Sequence, residues 1–213
     1  GYKTQPLEGL EDHLIYVRDN FDVGFIRIND ENFGSDKKHS YQLAKILNKV
    51  GMLWFASGVR CTSTNEEDIK FYKDHGCSAL KYGVESGSQK MLDIMEKVFK
   101  VSDIYNALDS CIRQNVFSPA TVLVGMPGET ESTARETGKF IGDIASKLGV
   151  HPNIIGFDIF YALPLPGTPL WEYGEQMGII GTEPNDVVDY LTNITDATIY
   201  KRYYINLNGA PIS

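Results

Sequence analysis

Five apolar runs in this chain each stop at residues able to hold a small polar molecule. They end at Asp30-Glu31-Asn32, at Arg60, at Glu85-Ser86-Gly87-Ser88, at Gly125-Met126-Pro127-Gly128-Glu129 and at Leu163-Pro164-Leu165-Pro166-Gly167. The first three offer carboxylates, a guanidinium and hydroxyls, and Lys97 follows Glu85 by one short helix. The last two offer Gly/Pro loops, where bare backbone can meet a flat ligand edge. No histidine stands at any of these ends, and the four in the chain (His13, His39, His75, His151) do not cluster and read as surface residues. Cys61, Cys77 and Cys111 have neither C-x-x-C nor zinc-finger spacing, and Cys77 and Cys111 read as buried thiols. The chemistry on offer is the binding of a small polar molecule by charge and backbone.

The elements that must carry these ends alternate. Helical periodicity over Leu7–Asn20 precedes a strand at Val23–Ile28. A helix at Asp36–Val50 leads to a strand at Met52–Ala56. Thr64-Asn65-Glu66-Glu67 reads as a capping box opening a helix that stops at Gly76. A strand at Ala79–Val84 follows, then a short helix over Gln89–Met95 and a longer one capped by Ser102 and reaching Asn115. The strand ending at Val124 leads to a helix over Ser132–Leu148, and a last strand, Ile154–Tyr161, to a helix that Thr168-Pro169 opens. Strand-to-strand steps of about 25–35 residues are the size of one βα unit. The pattern predicts an α/β fold with a parallel sheet, a partial (β/α) TIM-like barrel, with an open doubly wound sheet as its rival. No G-x-G-x-x-G follows any strand, which disfavours a dinucleotide fold. Residues 1–178 read as about five βα units. Residues 179–213 read as an extension of no assigned role, a polar loop with a short helix over Thr182–Asp196 and a strand or edge at Ile199–Ile205.

The 213 residues are 42% hydrophobic, enough for a sizeable core, and the net charge is −8. That balance disfavours a nucleic-acid backbone as partner but admits a small anionic ligand in a local pocket. No apolar run reaches the ~18 residues of a membrane span, and no signal peptide opens the chain.

In order and spacing, Asp30-Glu31-Asn32-Phe33, Gly83-Val84-Glu85-Ser86-Gly87-Ser88, Gly125-Met126-Pro127-Gly128-Glu129-Thr130 and Pro164-Leu165-Pro166-Gly167-Thr168 resemble the radical S-adenosylmethionine superfamily. The likeness runs from about Tyr2 to Trp171 and is strongest to cobalamin-dependent members and methylthiotransferases. It implies that Asp30 and Glu31 meet the methionine amino group, in part through backbone carbonyls. Glu85 beside Ser86 would take the ribose hydroxyls, Lys97 and Arg60 the methionine carboxylate, and Gly125, Met126, Pro127 and Leu163 the adenine half. Glu129 would brace the Gly125 turn or cap the next helix. Plainer readings stand beside these: a turn cap for Asp30, a solvated Lys97, and a structural ion pair between Arg60 and Glu85 or Asp30.

The family's C-x-x-x-C-x-x-C is absent, and the three cysteines cannot supply it. The resemblance therefore implies an N-terminally truncated barrel that starts just after the cluster loop. It would be the C-terminal part of a catalytic domain that positions S-adenosylmethionine for reductive cleavage to a 5′-deoxyadenosyl radical by a 4Fe-4S cluster bound outside this chain, and would be inactive alone. Cobalamin, a small-molecule substrate, an electron donor such as a flavodoxin or ferredoxin, a cytoplasmic location, and methyl transfer or ring closure belong to the same expectation. The rival functions are a methylthiotransferase-like relative, an unrelated TIM-barrel enzyme, and a non-catalytic βα ligand-binding domain.

Overall fold

The computed structural model describes residues 3–149, 156–178 and 180–194. Five strands form one parallel sheet in the order of the sequence: β1 (Phe25–Phe33), β2 (Leu53–Val59), β3 (Cys77–Glu85), β4 (Ala120–Val124) and β5 (Phe157–Tyr161). Sequential order without reversal is what a curling barrel requires, and it sets aside the doubly wound rival, whose strand order reverses at a switch point. Between the strands run α1 (Leu10–Phe21), before β1, then α2 (Lys37–Val50), α3 (Glu66–Asp74), α4 (Gln89–Ile94), α5 (Val101–Arg113) and α6 (Glu131–Leu148), with α7 (Pro169–Gln176) and α8 (Pro184–Ile194) after β5. Of the expected last strand, residues 154 and 155 lie outside the described residues, as do His151, Tyr2 and the expected strand at Ile199–Ile205.

The helix signals act where the sequence placed them, with small shifts. The Asp36 side chain accepts the His39 N–H at the start of α2. In the capping box of α3 the cap is Asn65, one residue after Thr64, and its reciprocal partner is Asp68. Thr64 is turned inward, where its hydroxyl meets that of Tyr82. At α5 the bracing group is Asp103, which accepts the Lys100 N–H, and Ser102 is already helical. Thr168 caps α7 ahead of Pro169. His75 is half-buried, stacked on Phe71 with ring centroids 4.0 Å apart, because it ends the buried face of α3.

The described residues fall into two compact units. One comprises residues up to Val122 together with Arg135–Asp158; the other comprises Leu123–Ala134 and the residues from Ile159 on. In the first unit, β1–β3 alternate sharply. Trp54, Ala56, Leu80, Tyr82 and Val84 are fully buried against the helices, with Leu47, Ile69, Ile104, Leu108 and Phe140 in the same core. The alternate positions (Phe25, Arg27, Asn29 and Glu31 on β1, Leu53, Phe55 and Ser57 on β2, Lys81, Gly83 and Glu85 on β3) are exposed or half-buried. A parallel sheet is ordinarily covered on both faces; here one face is open and largely polar. In the second unit Trp171, Ile180 and Tyr190 form a small core to which α7 and α8 both contribute.

Candidate functional site

A cavity of about 520 Å³ opens in the first unit, where Glu31, Gly58, Arg60, Glu85 and the loop after α4 (Met95 to Phe99) converge. That volume lies within the ordinary range for small-molecule sites, about 300–1,000 Å³. Three of its walls are the carboxyl ends of β1, β2 and β3, where ligands sit in parallel α/β folds.

Glu85 closes β3 in a rare conformation. Its φ is +66°, and the Ser86 N–H donates to the Val84 carbonyl at 2.8 Å, a three-residue turn of the strained hand. Such backbone costs about 1–3 kcal/mol and persists only where its surroundings enforce it. They do so here through the next residues. The Ser86 hydroxyl is buried and lies 2.9 Å from that of Thr137 on α6, which also accepts the Gly87 N–H. A Cβ on Gly87 would sit 2.5 Å from Cβ of Phe140, so only glycine lets this turn press on α6. Ser86 therefore faces α6 rather than the cavity. Neither Ser86 nor Ser88 caps α4 with its side chain, and the buried Ser88 hydroxyl has no hydrogen-bond partner among the described residues.

Anchored in this way, Glu85 aims its carboxylate at Lys97, whose Nζ donates to Oε1 at 2.9 Å. The two side chains are 18% and 34% exposed, so the pair is partly desolvated yet reachable from the cavity. Lys97 is placed by the end of α4: its N–H donates to the Leu92 carbonyl, and Glu96 before it has φ +54°, the left-handed position glycine usually fills.

Arg60 follows β2 and lines the cavity. It is exposed rather than buried, and the ion pair that Glu85 makes is with Lys97. The expected first strand also ends later than Ile28: β1 runs through Asp30 and Glu31 to Phe33. Its register against β2 shifts between Asn29 and Phe33. Within that irregular stretch Asp30 Oδ1 accepts the Asn32 N–H at 2.9 Å, the turn-capping role open from the sequence. Glu31 lines the cavity.

Two site residues escaped the sequence reading. At Gly58 (φ +74°) a Cβ would lie 1.8 Å from the Asp30 carbonyl oxygen; the signal for it was a lone glycine inside a strand. Glu96 carried no signal, because its backbone conformation is a property of the folded loop.

In the second unit, Gly125 follows β4 with φ +84°, and its N–H donates to Glu129 Oε2 at 2.7 Å. Glu129 thus braces the turn through a backbone N–H, one of its two expected roles. Met126 and Pro127 are half-buried, and the Glu129 N–H closes the turn on the Met126 carbonyl. Leu163 is half-buried beside Pro164, whose carbonyl accepts the Tyr190 hydroxyl at 3.0 Å.

The residues present do not fit an iron–sulfur cluster. All three cysteines are buried, and among the described residues no group of three or more His, Cys, Asp or Glu could hold a metal. Burial pushes the Cys61 thiol up to about 12 and that of Cys111 to about 11, and raises Cys77 as well. Thiolate ligation is unfavourable at all three. No helix among the described residues is long and apolar enough to cross a membrane.

Known proteins resemble this chain in sequence and in fold. A methyltransferase of Pyrococcus horikoshii, itself uncharacterized, is 26% identical over 174 residues, which are 81% of this chain and 36% of that protein. An anaerobic magnesium-protoporphyrin IX monomethyl ester cyclase of Cereibacter sphaeroides is 23% identical over 80% of this chain and 28% of its own length. A threonylcarbamoyladenosine tRNA methylthiotransferase of Thermotoga maritima is 26% identical over 78% of this chain and 39% of its own. The chain thus spans about a third of the length of these relatives. Among solved structures, the radical S-adenosylmethionine methyltransferase TsrM of Kitasatospora setae, with cobalamin and a [4Fe-4S] cluster bound, superposes with a TM-score of 0.68. It does so at 16% identity, over 85% of this chain and 36% of its own. The cobalamin-dependent radical enzyme OxsB superposes at 0.60, with 14% identity, over 85% and 33%. The radical SAM superfamily profile matches residues 15–141, more than half of the chain. With its sequential parallel strands and a cavity at their carboxyl ends, the chain belongs to the radical SAM superfamily.

Proposed function

We propose that the cavity of the first unit holds S-adenosylmethionine and that the chain is the cofactor-positioning part of a radical SAM catalytic domain. One observation carries this: a rigidly held carboxylate, Glu85, and an ammonium, Lys97, meet 2.9 Å apart at the strand ends, inside a cavity that also presents Arg60. Glu85 suits two ribose hydroxyls, because a carboxylate accepts both hydrogens from a fixed strand end. Lys97, or Arg60 with its forked donors, suits the methionine carboxylate. The backbone at Asp30–Glu31, laid against Gly58, supplies carbonyls for the methionine amino group.

When bound and given one electron, S-adenosylmethionine supplies the carbon radical of this family's reactions; the groups named here bind and orient it. The cluster that delivers the electron has no ligands among the described residues, and no step through it is derived. For the whole protein we propose methyl transfer or ring closure on a small molecule, supported by the methyltransferase and cyclase among its relatives. The methylthiotransferase relative supports an RNA substrate, but the net charge of −8 disfavours that reading.

Calorimetric titration of S-adenosylmethionine into the chain tests the site. Wild type binds, and Glu85→Gln and Lys97→Met each weaken binding about 10- to 100-fold, the loss expected for one charge-assisted contact of about 1.5–3 kcal/mol. Equal affinity in all three proteins, or no heat in any, would sink the assignment.

A further inference from the structure

A second, smaller cavity of about 250 Å³ lies on the open face of the sheet, lined by Arg27, Ser57, Lys81 and Thr121 and sharing Gly58, Gly83 and Glu85 with the first. Its charges are unevenly satisfied. Lys81 is paired with Asp158, and Glu85 with Lys97. Arg27 makes no ion pair or hydrogen bond with any described residue; its one polar interaction is with the ring of Phe55, whose centroid lies 5.2 Å from the guanidinium carbon. A cation–π contact uses none of the guanidinium N–H donors in hydrogen bonds, so they remain available to an oxyanion. Ser57 spends its hydrogen on the Ile28 carbonyl and Asn29 side chain, 3.1 and 3.2 Å away.

We propose that Arg27 anchors an anion subsite on this face, which takes a carboxylate or phosphoryl group of the substrate. An arginine with its donors unused, beside a cavity big enough for one functional group, matches that planar or tetrahedral oxyanion geometry. The shared wall explains the placement. Gly58 and Gly83 carry no side chain between the two cavities, so a molecule held by its anionic end at Arg27 extends toward whatever occupies the larger one. That the occupant is the substrate rests on the proposed function; that Arg27 binds an anion does not.

Modification of the intact chain by phenylglyoxal, with each arginine adduct quantified by peptide mass spectrometry, tests this. Sodium phosphate and sodium acetate are compared with sodium chloride at matched ionic strength. One of the two oxyanions, near saturation, is expected to slow Arg27 modification about tenfold relative to chloride, which corresponds to about 1.4 kcal/mol, while Arg113, paired with Glu66, is unchanged. Protection by phosphate alone assigns a phosphoryl group, and protection by acetate a carboxylate. Modification of Arg27 at one rate in all three salts overturns the subsite. Arg60 reports the larger cavity in the same digest: its protection by S-adenosylmethionine with Arg27 indifferent to anions sinks only the subsite. The converse sinks only the cofactor assignment.

Discussion

Separating Glu85 from Lys97 is the most informative perturbation. Unit charges 2.9 Å apart attract by about 1.4 kcal/mol at the dielectric of water and about 6 kcal/mol at an effective value of 20. A carboxylate 18% exposed and an ammonium 34% exposed lie between these limits. Up to ~2 kcal/mol of lysine rotamer freedom is lost in holding the pair, and desolvation takes more. A net coupling of about 1–3 kcal/mol remains. The assay is a double-mutant cycle in urea: wild type, Glu85→Gln, Lys97→Met and the double variant. Lys97→Met should cost more than the double variant, because it leaves a largely buried carboxylate without a cation. Repeating the cycle with S-adenosylmethionine at about 100 times its Kd should add ~2.7 kcal/mol to wild type and much less to either single variant. A coupling below about 0.3 kcal/mol, within the error of additivity, would refute the claim that these residues meet. Full ligand stabilisation of both single variants would refute the claim that they touch the cofactor.

Gly58→Ala should lose more than ~3 kcal/mol of stability by chemical denaturation, since a left-handed backbone and a Cβ 1.8 Å from the Asp30 carbonyl oxygen leave no local escape. Glu96→Gly should instead gain about 1 kcal/mol, because glycine adopts φ +54° without strain; a loss would mean that the Glu96 side chain contributes to the fold. Burial alone would raise the Asp68 carboxyl, but bonds from Lys37, Tyr41 and the Asn65 N–H hold it below the usual aspartate value. Its stabilisation is therefore fully present above about pH 4 and is lost as the pH falls through the lowered folded value. Asp68→Asn should flatten that acid limb in pH-dependent urea melts. The three thiols should react with a disulfide reagent at pH 8 far more slowly in native protein than in denatured, because burial keeps them protonated and covered; fast native reaction would contradict their placement.

Much of the fold was legible before the structure. The succession of strands and helices, the cap at Thr168, the capping box within one residue of its place, and the polar strand ends all come from patterns within a dozen residues of one another. Glu129 bracing Gly125 is equally local, four residues apart. What misled were features with distant partners. β1 extends through Asp30 and Glu31 because β2 pairs alongside and Gly58 yields it room. Ser86 turns from the cavity because Thr137, 51 residues on, receives it. Glu85 pairs with Lys97, twelve residues on across a helix, rather than with Arg60.

By itself, then, the sequence determined the class of fold, since hydrophobic period, glycine, proline and capping chemistry act over short stretches, and its ordered motifs resembled the family to which the chain belongs. Tertiary structure alone decided which charges meet, which hydroxyl is buried, and which backbone is forced to positive φ at Glu85 and Glu96. Those outcomes depend on register and on packing between segments far apart in the chain, and no local pattern of residues encodes them.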